Sequence, residues 1–104
     1  MSAHDRINAA NAEAARAAGW PELTGTPAQI GWASTIRVDK MREFDDAAAA
    51  MTDSDRDQFR EVMLRETAAG IWIDGRCAPW QAMLVTQLTD DERAALFVRQ
   101  TDRP

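Results

Sequence analysis

The chain has 104 residues, of which 45% are hydrophobic and 28% charged, the length and composition of one globular domain rather than of a disordered chain. Its net charge of −5 is spread over both halves, with 5 basic against 7 acidic residues in 1–52 and 7 against 10 in 53–104; with no basic tail or patch, this argues against tight binding of a phosphate backbone by the monomer. The single cysteine, Cys77, excludes an intramolecular disulfide and a cysteine-based zinc site within one chain.

Met1 to Trp20 holds no apolar run of the signal-peptide kind, and no stretch approaches the roughly 18 apolar residues that span a bilayer. A cytoplasmic protein with no membrane role is the expectation. Alanine supplies 20 residues, glycine 5 and proline 4, a balance that favours helices because alanine loses no side-chain entropy in one.

Residues 3–18 read as a helix of weak amphipathicity. Ile7 is its only large apolar side chain, so light packing or fraying is expected, with Gly19 as the stop. Trp20 and Leu23 should pin the following loop to the body of the fold. Thr26-Pro27-Ala28-Gln29 is the clearest local signal: a threonine N-cap, proline at the first helical position and glutamine closing a capping box. The helix should run from Pro27 to about Met51, with Ile30, Ala33, Met41, Phe44, Ala48 and Met51 on one face. Ile36 and Ala47 border that face, and Trp32 lies on its flank.

Thr52-Asp53-Ser54-Asp55 starts the next helix, with acidic residues where the macrodipole favours them. Phe59, Val62, Met63 and Leu64 form its apolar side, and it should end near Ala69-Gly70. Ile71-Trp72-Ile73 is read as helical, because one isolated strand has nothing to pair with. Asp74-Gly75-Arg76 is a turn. Pro79 opens a short helix to about Leu88, with Trp80, Met83, Leu84 and Leu88 inward. Thr89-Asp90-Asp91-Glu92 is a second capping box before a last helix bearing Leu96, Phe97 and Val98, and Thr101–Pro104 should fray.

Few residues carry chemistry. His4, the only histidine, stands near a terminus and is read as solvated, since general-base catalysis needs a positioned, tuned side chain. Cys77 has no supporting histidine and is read as a small half-buried residue. Asp53, Asp55 and Asp57 resemble the start of a calcium loop, but Gln58 stands where that loop requires glycine. These carboxylates, with Asp45-Asp46 and Asp90-Asp91-Glu92, are read as helix N-termini, so no metal and no cofactor is expected.

One set stands apart: Trp32, Ile36, Arg37 and Lys40, with Trp72, Asp74 and Arg76. Arg37 falls on the apolar side of its helix, where an unpaired charge is expensive. One reading makes Arg37–Asp74 a structural pair locking the long helix to the 74–76 turn, with both tryptophans in the core. The other makes Trp32, Arg37, Lys40, Trp72 and Arg76 an exposed binding surface for a protein, or for single-stranded nucleic acid stacked on the indoles.

Two segments carry a family resemblance. Leu23-Thr24-Gly25-Thr26-Pro27-Ala28-Gln29-Ile30-Gly31-Trp32-Ala33-Ser34-Thr35-Ile36-Arg37 and Glu66-Thr67-Ala68-Ala69-Gly70-Ile71-Trp72-Ile73-Asp74-Gly75-Arg76 cover about a quarter of the chain. They resemble motifs of small bacterial proteins, mostly uncharacterised, often associated with mobile elements. The resemblance implies a helical accessory protein and supplies no catalytic residue. Some of those proteins place a cysteine-rich, zinc-ribbon-like segment before the first motif, where this chain has its alanine-rich helix.

The resulting expectation is an all-α single domain, 1–104, of four or five helices around the long central one. Within it, 3–18 is lightly packed and 27–100 forms the core. The expected function is a non-enzymatic protein-interaction or regulatory accessory protein of a phage or other mobile element. The alternative is a nucleic-acid-binding module using Trp32, Arg37, Lys40, Arg42 and Arg76, with homodimerisation through helix 3–18 concentrating the basic stripes.

Overall fold

The first helix, α1 (Ala3–Ala17), is closed at both ends by local bonds. The Ser2 hydroxyl accepts from the Asp5 amide and the Asp5 carboxylate accepts from the Ser2 amide. At the far end Gly19 takes a left-handed φ of 78°. Its amide donates to the Arg16 carbonyl and that of Trp20 to the Ala15 carbonyl, both at 3.0 Å, which is the Schellman closure that favours glycine. The computed structural model describes the backbone of residues 2–101 and the side chains of 2–95.

α1 buries one residue, Ala15, and supplies none of the core cluster. It lies along α2 (Pro27–Ala47), and the two form the most extensive helix pair of the molecule. Alanine permits this by letting the helices approach closely: Ala15 is buried. Polar side chains then clamp the seam, with Asn11 Nδ2 donating to Thr35 Oγ1 at 2.9 Å and Thr35 Oγ1 donating to Asn8 Oδ1 at 2.6 Å. Ile7 stays exposed.

The capping box at Thr26 and Gln29 forms as expected, and a 3-10 turn (Ala48–Ala50) continues α2. Gly25 precedes the cap with φ 142°, where a Cβ would come within 2.9 Å of the capping Gln29 Oε1. Ala33, Ile36, Met41, Phe44 and Ala48 of this spine are buried, while Ile30 and Met51 pack at the core's margin.

Thr52 caps α3 (Asp53–Leu64). This helix stops short of the expected Ala69-Gly70, because the chain there makes other bonds. Thr24 N–H donates to the Thr67 carbonyl at 2.7 Å and Ala69 N–H to the Thr24 carbonyl at 2.8 Å, an isolated parallel bridge between Thr24 and Ala68. Ile71-Trp72-Ile73 is helical, but within a separate short helix, α4 (Ala69–Asp74). Trp72 Nε1 donates to the Glu66 carbonyl at 2.9 Å, tying α4 to the break. Next come α5 (Trp80–Gln87) and α6 (Asp90–Thr101).

Among the described residues the fold is all-α, six helices with no sheet. Trp72, Phe44, Met41, Met63 and Val62 are its most deeply buried large side chains. Trp80 meets Phe44 edge-on at 5.1 Å between ring centroids. Leu23 is buried and Trp20 partly so, as the loop reading requires. Leu96, Phe97 and Val98 lie outside the described side chains, and residues 102–104 of the segment expected to fray lie outside the described chain.

A forked ion pair fastens α6. Arg65 Nη1 and Nη2 donate to Glu92 Oε1 and Oε2 at 2.7 and 2.9 Å, and Glu92 also closes the capping box with Thr89. The Arg65 hydrogen bonds, helped by the Thr89 amide, hold the Glu92 carboxyl down at about 2. The folded value lies below the ordinary 4.5, so this attachment is fully present above that value and is lost as pH falls from there towards 2. We expect the α6 amides to lose exchange protection over that window before the core does. Glu92→Gln should weaken α6 at neutral pH and remove that acid transition, with hydrogen exchange by NMR as the check.

Candidate functional site

The structure divides the singled-out cations and tryptophans into two groups. Arg37, at 3% exposure, and Lys40 are buried, and Trp72 is fully enclosed. Trp32 is 46% exposed and Arg76 is exposed with it. The single surface of all five residues considered from sequence therefore does not exist as such.

The partner of Arg37 is not Asp74. Arg37 Nη1 donates to the Pro21 carbonyl at 2.7 Å, and its guanidinium lies 5.3 Å from the Trp20 ring centroid. Asp74 is exposed at the end of α4. The reason is geometric: the Gly19 closure folds the 20–23 loop back over the same side of α2 from which Arg37 projects, so a loop carbonyl reaches the guanidinium. Burial alone lowers the Arg37 proton affinity below that of a free guanidinium. Among the described residues no carboxylate forms an ion pair with Arg37.

Lys40 is likewise used internally. Its Nζ donates to the Ala78 carbonyl and pairs with Glu43 at 3.2 Å, fixing the 75–79 loop to α2. Arg42 is exposed and stands 3.6 Å from Asp39.

Trp32 and Arg76 meet on the outside. The Arg76 guanidinium sits 5.0 Å from the Trp32 ring centroid, and its Nη1 also donates to the Ile73 carbonyl at 2.7 Å. The α4 C-terminus thus aims the cation and α2 supplies the ring, a cation–π contact of the kind arginine favours. Ile71 of α4 is also exposed, one residue before the enclosed Trp72. Sequence reasoning passed over Ile71 as a surface residue because the ambiguous 71–73 run offered no face.

His4 is exposed. Cys77 is exposed rather than half-buried, since the 75–79 loop carries it outward. Asp53 and Asp55 stand in the first turn of α3, and Asp90, Asp91 and Glu92 in that of α6. Asp45-Asp46 are a correction: they end α2 rather than begin a helix, and Asp45 takes an ion pair from Arg60 of α3. Among the described residues, no group of three or more His, Cys, Asp or Glu side chains is placed to hold a metal ion, and no helix is long and apolar enough to cross a membrane.

Two half-open pockets lie beside the buried cations. One, of about 220 Å³, lies between α1, the 20–23 loop and α2, with Arg37 in its wall. The other, of about 240 Å³, lies between α4 and α5 beside Lys40. The chain matches no family model, no curated protein and no solved structure. The resemblance to mobile-element proteins therefore rests on the two sequence segments alone.

Proposed function

We propose that this protein is a non-enzymatic binding module that engages a protein partner through the face carrying Trp32 and Arg76. The observation that supports this is the half-exposed Trp32 ring held under a guanidinium that is itself fixed to the Ile73 carbonyl. Tryptophan and arginine are the side chains most enriched where binding energy concentrates. A ring ordered before contact also loses less side-chain freedom on binding. A regulatory accessory role in the cytoplasm of a cell carrying a mobile element is the setting this reading adopts.

The nucleic-acid alternative keeps fewer resources. Arg37 and Lys40 are committed inside the fold, which leaves Arg76 and Arg42 as the exposed cations of the set against an overall charge of −5. Dimerisation through α1 would have to use its outer face around Ile7, because its inner face is spent on α2.

The test pairs wild type with Trp32→Ala and Arg76→Glu as baits, then measures the affinity of the purified partner so recovered. Both variants should keep the wild-type melting temperature within a few degrees, since both sites are on the surface. Each should lose about 30-fold or more in affinity, the effect of removing an anchor worth roughly 2 kcal/mol. Undiminished affinity in both would overturn the reading. Salt-sensitive binding of oligonucleotides that disappears in Arg76→Glu would replace it with the nucleic-acid alternative.

A further inference from the structure

We propose that the half-open pocket between α1, the 20–23 loop and α2 binds a small organic carboxylate, held by the Arg37 guanidinium. This site is separate from the Trp32–Arg76 face and does not depend on it.

Arg37 has 3% exposure, and of its five N–H groups only one on Nη1 is satisfied, by the Pro21 carbonyl. Its Nε is buried with no hydrogen-bond partner. The bond to Pro21 is made from Nη1, on the side of the guanidinium away from the Nε–Nη2 edge. That edge is the side-on fork whose two parallel N–H groups match the two oxygens of a carboxylate. Among the described residues no carboxylate forms an ion pair with Arg37, and Glu13 is paired with Arg16. A buried guanidinium facing one carbonyl and one indole ring is a cation still lacking its counter-ion.

The pocket beside it has the shape and chemistry for that counter-ion. Its volume is about 220 Å³, smaller than the roughly 300 Å³ at which sites for drug-sized molecules begin. Ala12, Ala15, Trp20, Leu23 and Ile30 supply its apolar lining, with Arg16 and Glu22 at its polar rim. The ligand would therefore carry a compact apolar body behind its charge. A phosphate dianion suits the site poorly. The other cation of its lining, Arg16, is paired with Glu13, the Ser34 hydroxyl already donates to the Ile30 carbonyl, and Glu22 at the wall opposes a second negative charge. The alanine face of α1, which looked from sequence like a weak helix, is what leaves this space open.

The experiment follows the Arg37 Nε–H signal of the full chain by ¹⁵N-correlated NMR. Benzoate and phenylacetate are titrated against the neutral benzamide and phenylacetamide at constant ionic strength. The expected result is a saturable shift with one or both acids, none with the amides, and a rise in melting temperature with the acids alone. Ala12→Leu fills the pocket without touching the guanidinium and should weaken the acid response about tenfold. No saturable shift with either acid, or equal shifts with the amides, would overturn the proposal and leave Arg37 a purely architectural cation. A folded Ala12→Leu variant with an unchanged acid response would overturn it too. If that variant does not fold, the acid-against-amide comparison still decides.

Discussion

Trp72→Ala should unfold most of the protein at physiological temperature. The ring is completely enclosed between α4 and the spine, and its Nε1 carries the bond to the Glu66 carbonyl that ties α4 to the α3–α4 break. Removing a buried tryptophan costs about 3–5 kcal/mol through lost transfer energy and the cavity left behind, and here a carbonyl loses its donor as well. A domain of this size holds only about 5–15 kcal/mol in total, and small cores sit near the bottom of that range. In thermal denaturation followed by circular dichroism, the midpoint should fall by about 15 °C or more. A change of under about 5 °C would mean that the ring is not the centre of the core.

The second large effect is Arg37→Glu, and its value lies in the contrast with Arg37→Met. Glutamate at this position places an unpaired carboxylate, buried in the fold, against the Pro21 carbonyl oxygen. It also removes the cation that faces Trp20. An uncompensated buried charge costs about 3–5 kcal/mol, which should bring the variant close to unfolding in urea. Methionine keeps an apolar stem packed against Trp20 and removes the unsatisfied Nε with the charge. Its cost should stay under about 1.5 kcal/mol, and a gain is within the physics. Were Arg37 a surface recognition residue, both variants would fall within about 0.5 kcal/mol of wild type. Equilibrium urea unfolding of the two proteins distinguishes these outcomes.

What the sequence made legible was what is encoded locally. Thr26, Thr52 and Thr89 announce helix starts because each cap is satisfied within three residues of itself. The face of Ala33, Met41, Phe44 and Ala48 follows from the helical period. The Thr24–Ala68 bridge does not, since it joins segments whose own residues give no sign of pairing, and it is what ends α3 early. The place of Arg37 on an apolar face was readable, but it left burial and exposure both open, and its partner was not readable. A loop carbonyl has no side-chain signature, whereas Asp74 has one and drew the expectation.

The candidate site was legible in its members and not in its division. Trp32 and Trp72 both sit beside apolar neighbours and both are followed by a charged residue within a turn or so. Only the docking of α4 on α2 decides that one ring is enclosed and the other faces out. The contact of Arg76 with Trp32 depends on that same docking, so no local pattern could carry it. For α1 the lack of large apolar residues leaves Ala15 as its one buried residue. Alanines and an Asn–Thr–Asn clamp achieve the packing instead.

The division of the tryptophans is the central claim, and it can be measured directly. The protein labelled with 5-fluorotryptophan gives four ¹⁹F resonances, assigned by single Trp→Phe variants, which are then titrated with a neutral, soluble paramagnetic agent. The account predicts that Trp32 broadens most, Trp20 and Trp80 less, and Trp72 not at all. Broadening of Trp72 comparable to that of Trp32, or a Trp32 signal as protected as that of Trp72, would contradict it.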